Sequence, residues 1–297
     1  VLGLGPLTRP ASFVIADGYD GYAAAVGHHP TLSRPLSLRI QEIAQFEARL
    51  RQIDESRTRD NAHALLEHYG RAYGARLTNP TTGERVRSPA LDDYLYTLGL
   101  RPEAGAIANL IGSGDWSVVE GLACGESVAQ DFSTAQLRLA AHLLKLETTR
   151  HVTVIDRAFD PVGSDPDAYD THWDHVELTA RKLPYFFERL VSVINEPGEE
   201  DPSKIDLDDT LIILNTEFGR SLGPQLETGR NHNPSAYVTL MFGGPVGPAQ
   251  RGIVGAIDAT GSARSPLQPA ETRAASLVAL GINPYDLGGY DSDDIND

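Results

Sequence analysis

The chain reads as an α/β protein: a parallel-rich sheet flanked by helices, with a mainly helical N-terminal half. Three observations lead there. Short apolar runs bounded by polar or Gly-containing turns recur at 12–16, 151–155, 210–214, 236–242 and 253–257, the pattern of buried strands. A long amphipathic segment, 176–195, lies between the second and third of these runs. Strand, helix, strand with a long crossover is the mark of a parallel sheet covered by helices. Before residue 133, helical spacing dominates.

Residues 1–35 are rich in Gly and Pro and carry one strand-like run, Ser12-Phe13-Val14-Ile15-Ala16, ending in Asp17-Gly18. Apolar residues at helical spacing (Leu38, Ile40, Ile43, Phe46, Leu50, Ile53) predict a helix over 36–54, and a second follows over 58–75. Ser88 followed by Pro89 is a cap and first-turn pair that opens a helix to Leu98. Ser133 opens another over 134–147, with Leu137, Leu139, Ala140, Leu143 and Leu144 on its apolar face. A last helix over 269–280 is stopped by Gly281 and Pro284. The stretch 196–204 (EPGEEDPSK) is a solvated loop. The chain thus divides into a helical part, 1–132, packed on the core, and an α/β core, 133–297.

A chain of 297 residues can bury a substantial core. Its 25 Lys and Arg against 41 Asp and Glu leave a net charge of −16. That excludes the basic footprint a nucleic-acid partner needs, and the acidic tail 291–297 adds a solvated end. No run of 18 apolar residues is present, so no membrane span is expected. The single cysteine, Cys124, rules out an intrachain disulfide and is expected to be a small buried residue. Met241 is the only methionine and no signal peptide is visible, so the chain is expected to begin inside a longer precursor.

Two clusters carry the chemistry. In Asp170-Thr171-His172-Trp173-Asp174-His175, an extended backbone would face Asp170 and His172 the same way. A helix starting at Thr171 would instead align His172 with His175. Carboxylate plus imidazole is a ligand set for zinc or manganese; the alternative is an Asp helix cap beside a surface His. In the second cluster the run 211–214 stops at Asn215-Thr216-Glu217-Phe218-Gly219-Arg220. Ligands of open α/β sheets bind beyond the strand ends, which draws Glu217 and Arg220 toward the same crevice. Arg230-Asn231-His232-Asn233-Pro234 reads as a polar loop between two strands. Arg220 and Arg230 either hold an anionic group by bidentate contacts or pair with Glu217 or Asp170.

The succession AYDTHWDH, DDTLIILNTEFGR, TGRNHNP, FGGPV and GIVGAIDATG resembles a functionally uncharacterised bacterial family, the match covering roughly 136–284 with weaker resemblance across the helical first half. That family is assigned to the alkaline phosphatase/sulfatase superfamily and is usually exported by the twin-arginine route. The resemblance implies an alkaline-phosphatase-like core and a metal-dependent hydrolase of phosphate or sulfate esters. In that superfamily two metal ions flank a Ser or Thr nucleophile. One ion, a divalent metal such as zinc, manganese or calcium, would take ligands from Asp170, His172, His175 and His232. The second normally takes an Asp-His pair where this chain has Glu217-Phe218, so that site is degraded or rebuilt around Glu217. Asn231 stands where the family has Asp. The superfamily nucleophile follows a first strand ending in a metal-binding Asp. Asp17 fits that ligand, but Gly18-Tyr19-Asp20-Gly21-Tyr22 offers no Ser or Thr. The chain is therefore expected to begin downstream of the nucleophile segment.

The resemblance further implies a periplasmic or extracellular location, an anionic small-molecule or glycan substrate, and a homo-oligomer or assembly with other exported proteins. Two alternatives remain open at this point. One is a non-catalytic exported structural or assembly protein that keeps the hydrolase fold. The other is a module that binds an acidic glycan or another anion through the same arginines.

Overall fold

In the computed structural model, the described residues are 11–16, 36–55, 60–83, 91, 95, 98, 104–114, 119–120, 129–146, 149–159, 169–216, 218–244, 246 and 251–280. Asp17 and the segment after it, most of the helix expected from Ser88, Cys124, Glu217 and the acidic tail lie outside them. The chain is a mixed α/β protein that divides into two compact units, Val1–Arg157 and Ala158–Asp297. Among the described residues it has six α-helices and small parallel and antiparallel ladders.

The first unit is built on a parallel sheet. Strand β1 (Ala11–Ala16) lies in the middle, with β2 (Leu36–Arg39) on one side. The expected helix over 36–54 therefore starts late. Its first four residues pair in parallel with β1, in register Phe13 to Leu36 and Ile15 to Leu38. The cause is legible afterwards: Leu36, Leu38 and Ile40 alternate with polar residues, a period of two that helical spacing masks. Leu38 and Ile40 are buried. A single 3-10 turn, Ile40–Glu42, then leads into α1 (Ile43–Glu55).

Helix α2 (Asp60–Arg76) follows as expected, and α3 (Ala104–Gly112) is an element the sequence reading did not anticipate. Arg51 of α1 reaches α3, donating to the Asn109 side chain at 2.9 Å. A short antiparallel pair, β3 (Val119–Glu120) and β4 (Ala129–Gln130), precedes α4 (Phe132–Leu144). The cap of α4 is not Ser133 but Asp131, whose fully buried carboxylate accepts the Thr134 amide at 2.9 Å and the Thr134 hydroxyl. That bond satisfies one of the amides a helix start leaves open. Ser133 instead donates to Asp156, just past β5 (Thr149–Val154). Strand β5 pairs in parallel with the other side of β1, Phe13 opposite Val152. Phe13, Ile15, Leu38, Ile107, Leu139 and Leu143 form the centre of one apolar cluster between sheet and helices.

The second unit opens with α5 (His175–Ser192), close to the expected helix and carrying Pro184 inside it. A proline there removes one backbone donor from the ladder. The loop 196–204 is pinned by the Lys204–Glu199 ion pair at 2.8 Å and by an Asn195 amide bond to the Ile205 carbonyl. Strand β6 (Leu211–Asn215) is followed by β7 (Gly219–Gln225) and β8 (Gly229–Asn233). Then come β9 (Thr239–Gly243), β10 (Ala256–Ile257) and β11 (Ala263–Arg264). Helix α6 (Pro269–Ala279) closes the described part, started by a capping box between Gln268 and Glu271.

Here the parallel expectation is corrected. Among the described residues of this unit every ladder between strands is antiparallel: β6 with β9, β7 with β8, β10 with β11. The parallel sheet lies in the first unit, where β5 pairs with β1, while β6 pairs with β9. The apolar runs located β5 and β6 but not their partners, because an apolar run carries no label for the strand it joins. The run 236–242 is a strand only from Thr239. The run 253–257, expected as a buried strand, is one only at Ala256–Ile257, where the described pairing is a two-residue ladder with β11 that leaves Ile253 and Val254 exposed. The polar stretch 230–234 is likewise not a loop. Residues 229–233 form β8, whose pairing with β7 runs through backbone groups and needs no apolar side chains.

Candidate metal centre

Three segments meet in the second unit: the loop 169–174 before α5, the start of β7, and β8. Glycines let them approach. A Cβ on Gly229 would run into the His172 carbonyl and lie 2.8 Å from the Trp173 amide nitrogen. One on Gly219 would sit 2.5 Å from the Ala236 carbonyl, which the Gly219 amide itself binds at 2.7 Å. These contacts account for the glycines of both motifs by close approach.

The turn joining β7 to β8 docks on the loop through Thr228. Its hydroxyl accepts the Asp174 amide at 3.1 Å and its carbonyl accepts the His175 amide at 3.2 Å. Asp174 takes a left-handed backbone, φ 44°, to enter the helix. The Arg230 amide then donates to the Thr171 carbonyl at 3.3 Å. His232 follows two residues along β8, its own amide held by the Asn231 side chain at 2.8 Å.

Asp170, His172 and His232 converge. The His172 Nε2 atom lies 3.0 Å from Asp170 Oδ1 and 3.0 Å from His232 Nε2. One ligand atom from each residue falls within 4.8 Å of the others, so this group can hold a metal ion. Asp170 and His232 are exposed and His172 is half-buried, which leaves the group open to solvent.

The donor chemistry fits a cation. His172 Nδ1 donates to the Gln225 side-chain oxygen at 2.6 Å, because an amide oxygen can only accept. A neutral His172 then carries its lone pair on Nε2, facing a carboxylate oxygen and a second imidazole nitrogen. Three electron-rich atoms at this range repel unless a proton or metal ion lies among them. A tetrahedral zinc, with bonds of about 2.0–2.1 Å, holds its ligand atoms roughly 3.3 Å apart. The two 3.0 Å spacings from His172 are close to that, while the group as a whole spans up to 4.8 Å.

The other residues singled out in the sequence take different places. His175 is not in the group. Its Nδ1 is 2.6 Å from the Thr171 hydroxyl, and the ring is held below its ordinary pKa by desolvation, then by the charges of Arg220 and Arg230. Arg220 pairs with Asp170 Oδ1 at 3.0 Å and donates to the Tyr169 carbonyl at 3.0 Å and the Arg230 carbonyl at 3.3 Å. It brackets the ligand-bearing loop to β8, and of the two readings of this arginine the ion pair with Asp170 is the one present. Arg230 donates to the Gly229 carbonyl at 3.0 Å. Phe218, which cannot ligate a metal, lies against His232 with ring centroids 4.2 Å apart. Gln225 lies outside every motif singled out in the sequence, and Thr171 and Thr228 stand inside two of them with no role assigned, since an isolated polar residue near a turn gives no sequence signal of what it will meet.

These features define a mixed α/β protein with a candidate Asp-His-His metal site on a solvent-facing edge. The chain belongs to the family described as "Protein of unknown function (DUF1501)", which it matches over residues 117–293, a span that contains the whole site. No curated protein and no solved structure matches it at a significant level. No helix among the described residues is long and apolar enough to cross a membrane.

Proposed function

We propose that this protein is a metal-dependent hydrolase of phosphate or sulfate esters with an alkaline-phosphatase-like core, exported to the periplasm or beyond. The observation that carries the reading is the convergence of Asp170, His172 and His232, with His172 Nε2 turned toward the other two ligand atoms. A divalent ion there, zinc or manganese by the carboxylate-imidazole donor set, would act as a Lewis acid on an ester oxygen. Arg230 is the arginine we assign to the substrate anion, because the Arg220 guanidinium already serves Asp170 and two carbonyls. In a chain of net charge −16, the Arg220 and Arg230 guanidinium groups at one edge form a local cationic spot that an anion can find.

A second reading is favoured by Phe218. Its ring covers one face of His232, at the motif position where the superfamily places a ligand of its second metal. On this reading the protein keeps the fold and a metal in a structural or assembly role without turnover.

The two readings separate in one experiment: metal analysis of native protein taken from fractionated cells, beside a phosphatase and sulfatase substrate panel and a His232→Ala control. Stoichiometric zinc or manganese with turnover lost in the variant is the expected result. Metal without turnover selects the second reading, and absence of metal overturns both. Recovery from the cytosol alone overturns the export part.

A further inference from the structure

We propose that Gln225 is the positioning residue of this site: its side-chain oxygen fixes His172 in the tautomer that presents Nε2 to Asp170 and His232. The inference rests on the metal-site reading and adds to it a residue outside the Asp-Thr-His, Glu-Phe-Gly-Arg and Gly-Arg-Asn-His motifs. A neutral imidazole has one N–H, and whichever nitrogen carries it cannot ligate a metal. The 2.6 Å bond from Nδ1 to Gln225 Oε1 uses that hydrogen. Without an acceptor there, the ring is free to place its hydrogen on Nε2, where it would face the ion. Metal-binding histidines generally donate their second nitrogen in this way, and removing the acceptor weakens the metal.

The backbone explains how one strand supplies two such contacts. Between Arg220, opposite His232, and Pro224, opposite Arg230, β7 spends more residues than β8, an irregularity in the ladder. Bulges of this kind re-aim side chains beside functional sites. Strand β7 thereby sends Arg220 to Asp170 at one end and Gln225 to His172 at the other. Each of two ligands is held by a different residue of the same strand.

The test uses the whole chain and zinc alone as probe. Zinc affinity, measured by competition with a chromophoric chelator, is compared for wild type, Gln225→Met and Gln225→Glu. Methionine keeps the length without a comparable acceptor, and glutamate keeps an acceptor oxygen. About 10- to 100-fold weaker binding is expected for Gln225→Met, with affinity retained in Gln225→Glu. In metal-free protein at a pH where the ring is neutral, nitrogen NMR of His172 is expected to read the hydrogen on Nδ1 in wild type and Gln225→Glu, and an exchange-averaged mixture of the Nδ1–H and Nε2–H tautomers in Gln225→Met. Should Gln225→Met fail to fold, Gln225→Asn, whose oxygen stops one carbon short of the ring, supplies the comparison. Undiminished zinc binding with an unchanged tautomer overturns the role of Gln225 alone. A wild type that binds no zinc overturns the metal reading itself, and this role with it.

Discussion

In the first unit, Phe13, Ile15, Leu139 and Leu143 are wholly buried between a parallel sheet and its helices, and the chain is held by apolar contact. Around Asp170, His172 and His232 in the second unit, the side chains are exposed or half-buried. There the fixing agents are directional: the Arg220 bracket, the Gln225 acceptor, the Thr228 clamp and the absent Cβ of Gly229. Apolar burial is large in energy and indifferent to angle, whereas hydrogen bonds are modest in net energy and strict in geometry. A core tolerates exchange of one apolar residue for another of like volume; a three-atom site does not tolerate a ligand turned by one rotamer. The contrast shows stability and aim supplied by different residues.

Three changes probe this contrast, the largest effect first. Phe13→Ala should cost about 3–5 kcal/mol, as truncating a buried phenylalanine usually does, read as a lower urea midpoint. Zinc affinity at the second unit should remain at the wild-type level in conditions where the variant is folded; loss of both together would erase the contrast. Gly229→Ala should cost about 3 kcal/mol, the upper end of overpacking penalties, because the new methyl meets backbone and not a movable side chain. Here the zinc site should fail as well, and a variant that melts and binds like wild type would remove the close approach as a cause.

The smallest effect is a pH dependence. His175 has its folded pKa below the unfolded value of 6.5, from desolvation first and the two arginines second. As pH falls from 6.5, the unfolded chain takes up a proton that the folded one resists, so stability declines toward acid. His175→Gln should flatten that slope in thermal melts recorded across the range, and an unchanged slope would assign it to other groups.

The sequence made much of this legible where one rule decided the outcome. The periodic faces of α1, α2, α4, α5 and α6 located those helices, and the run before Asn215 located β6. Residue type marks Asp170 and His172 as candidate ligands and the family resemblance adds His232; the structure brings those three together. What was hidden depended on partners far away in the chain. Leu36 to Arg39 look helical until β1 lies beside them, and β8 looks like a loop until β7 supplies its hydrogen bonds. His175 shares the composition of its neighbours but meets Thr171, four residues before it. Gln225 is 53 positions from the histidine it orients, a pairing that no local pattern announces.

The two imidazoles that meet at 3.0 Å are sixty residues apart in the chain. An ion shared between them would tie off everything from α5 to β8 as a closed ring, the topological equivalent of a disulfide in a sequence whose single cysteine cannot make one. By the loop-entropy relation for cross-links, a ring of that size removes about 4 kcal/mol of freedom from the unfolded chain. A chelator would then act on this protein as a reductant acts on a cystine-rich one, releasing a knot and not merely emptying a pocket.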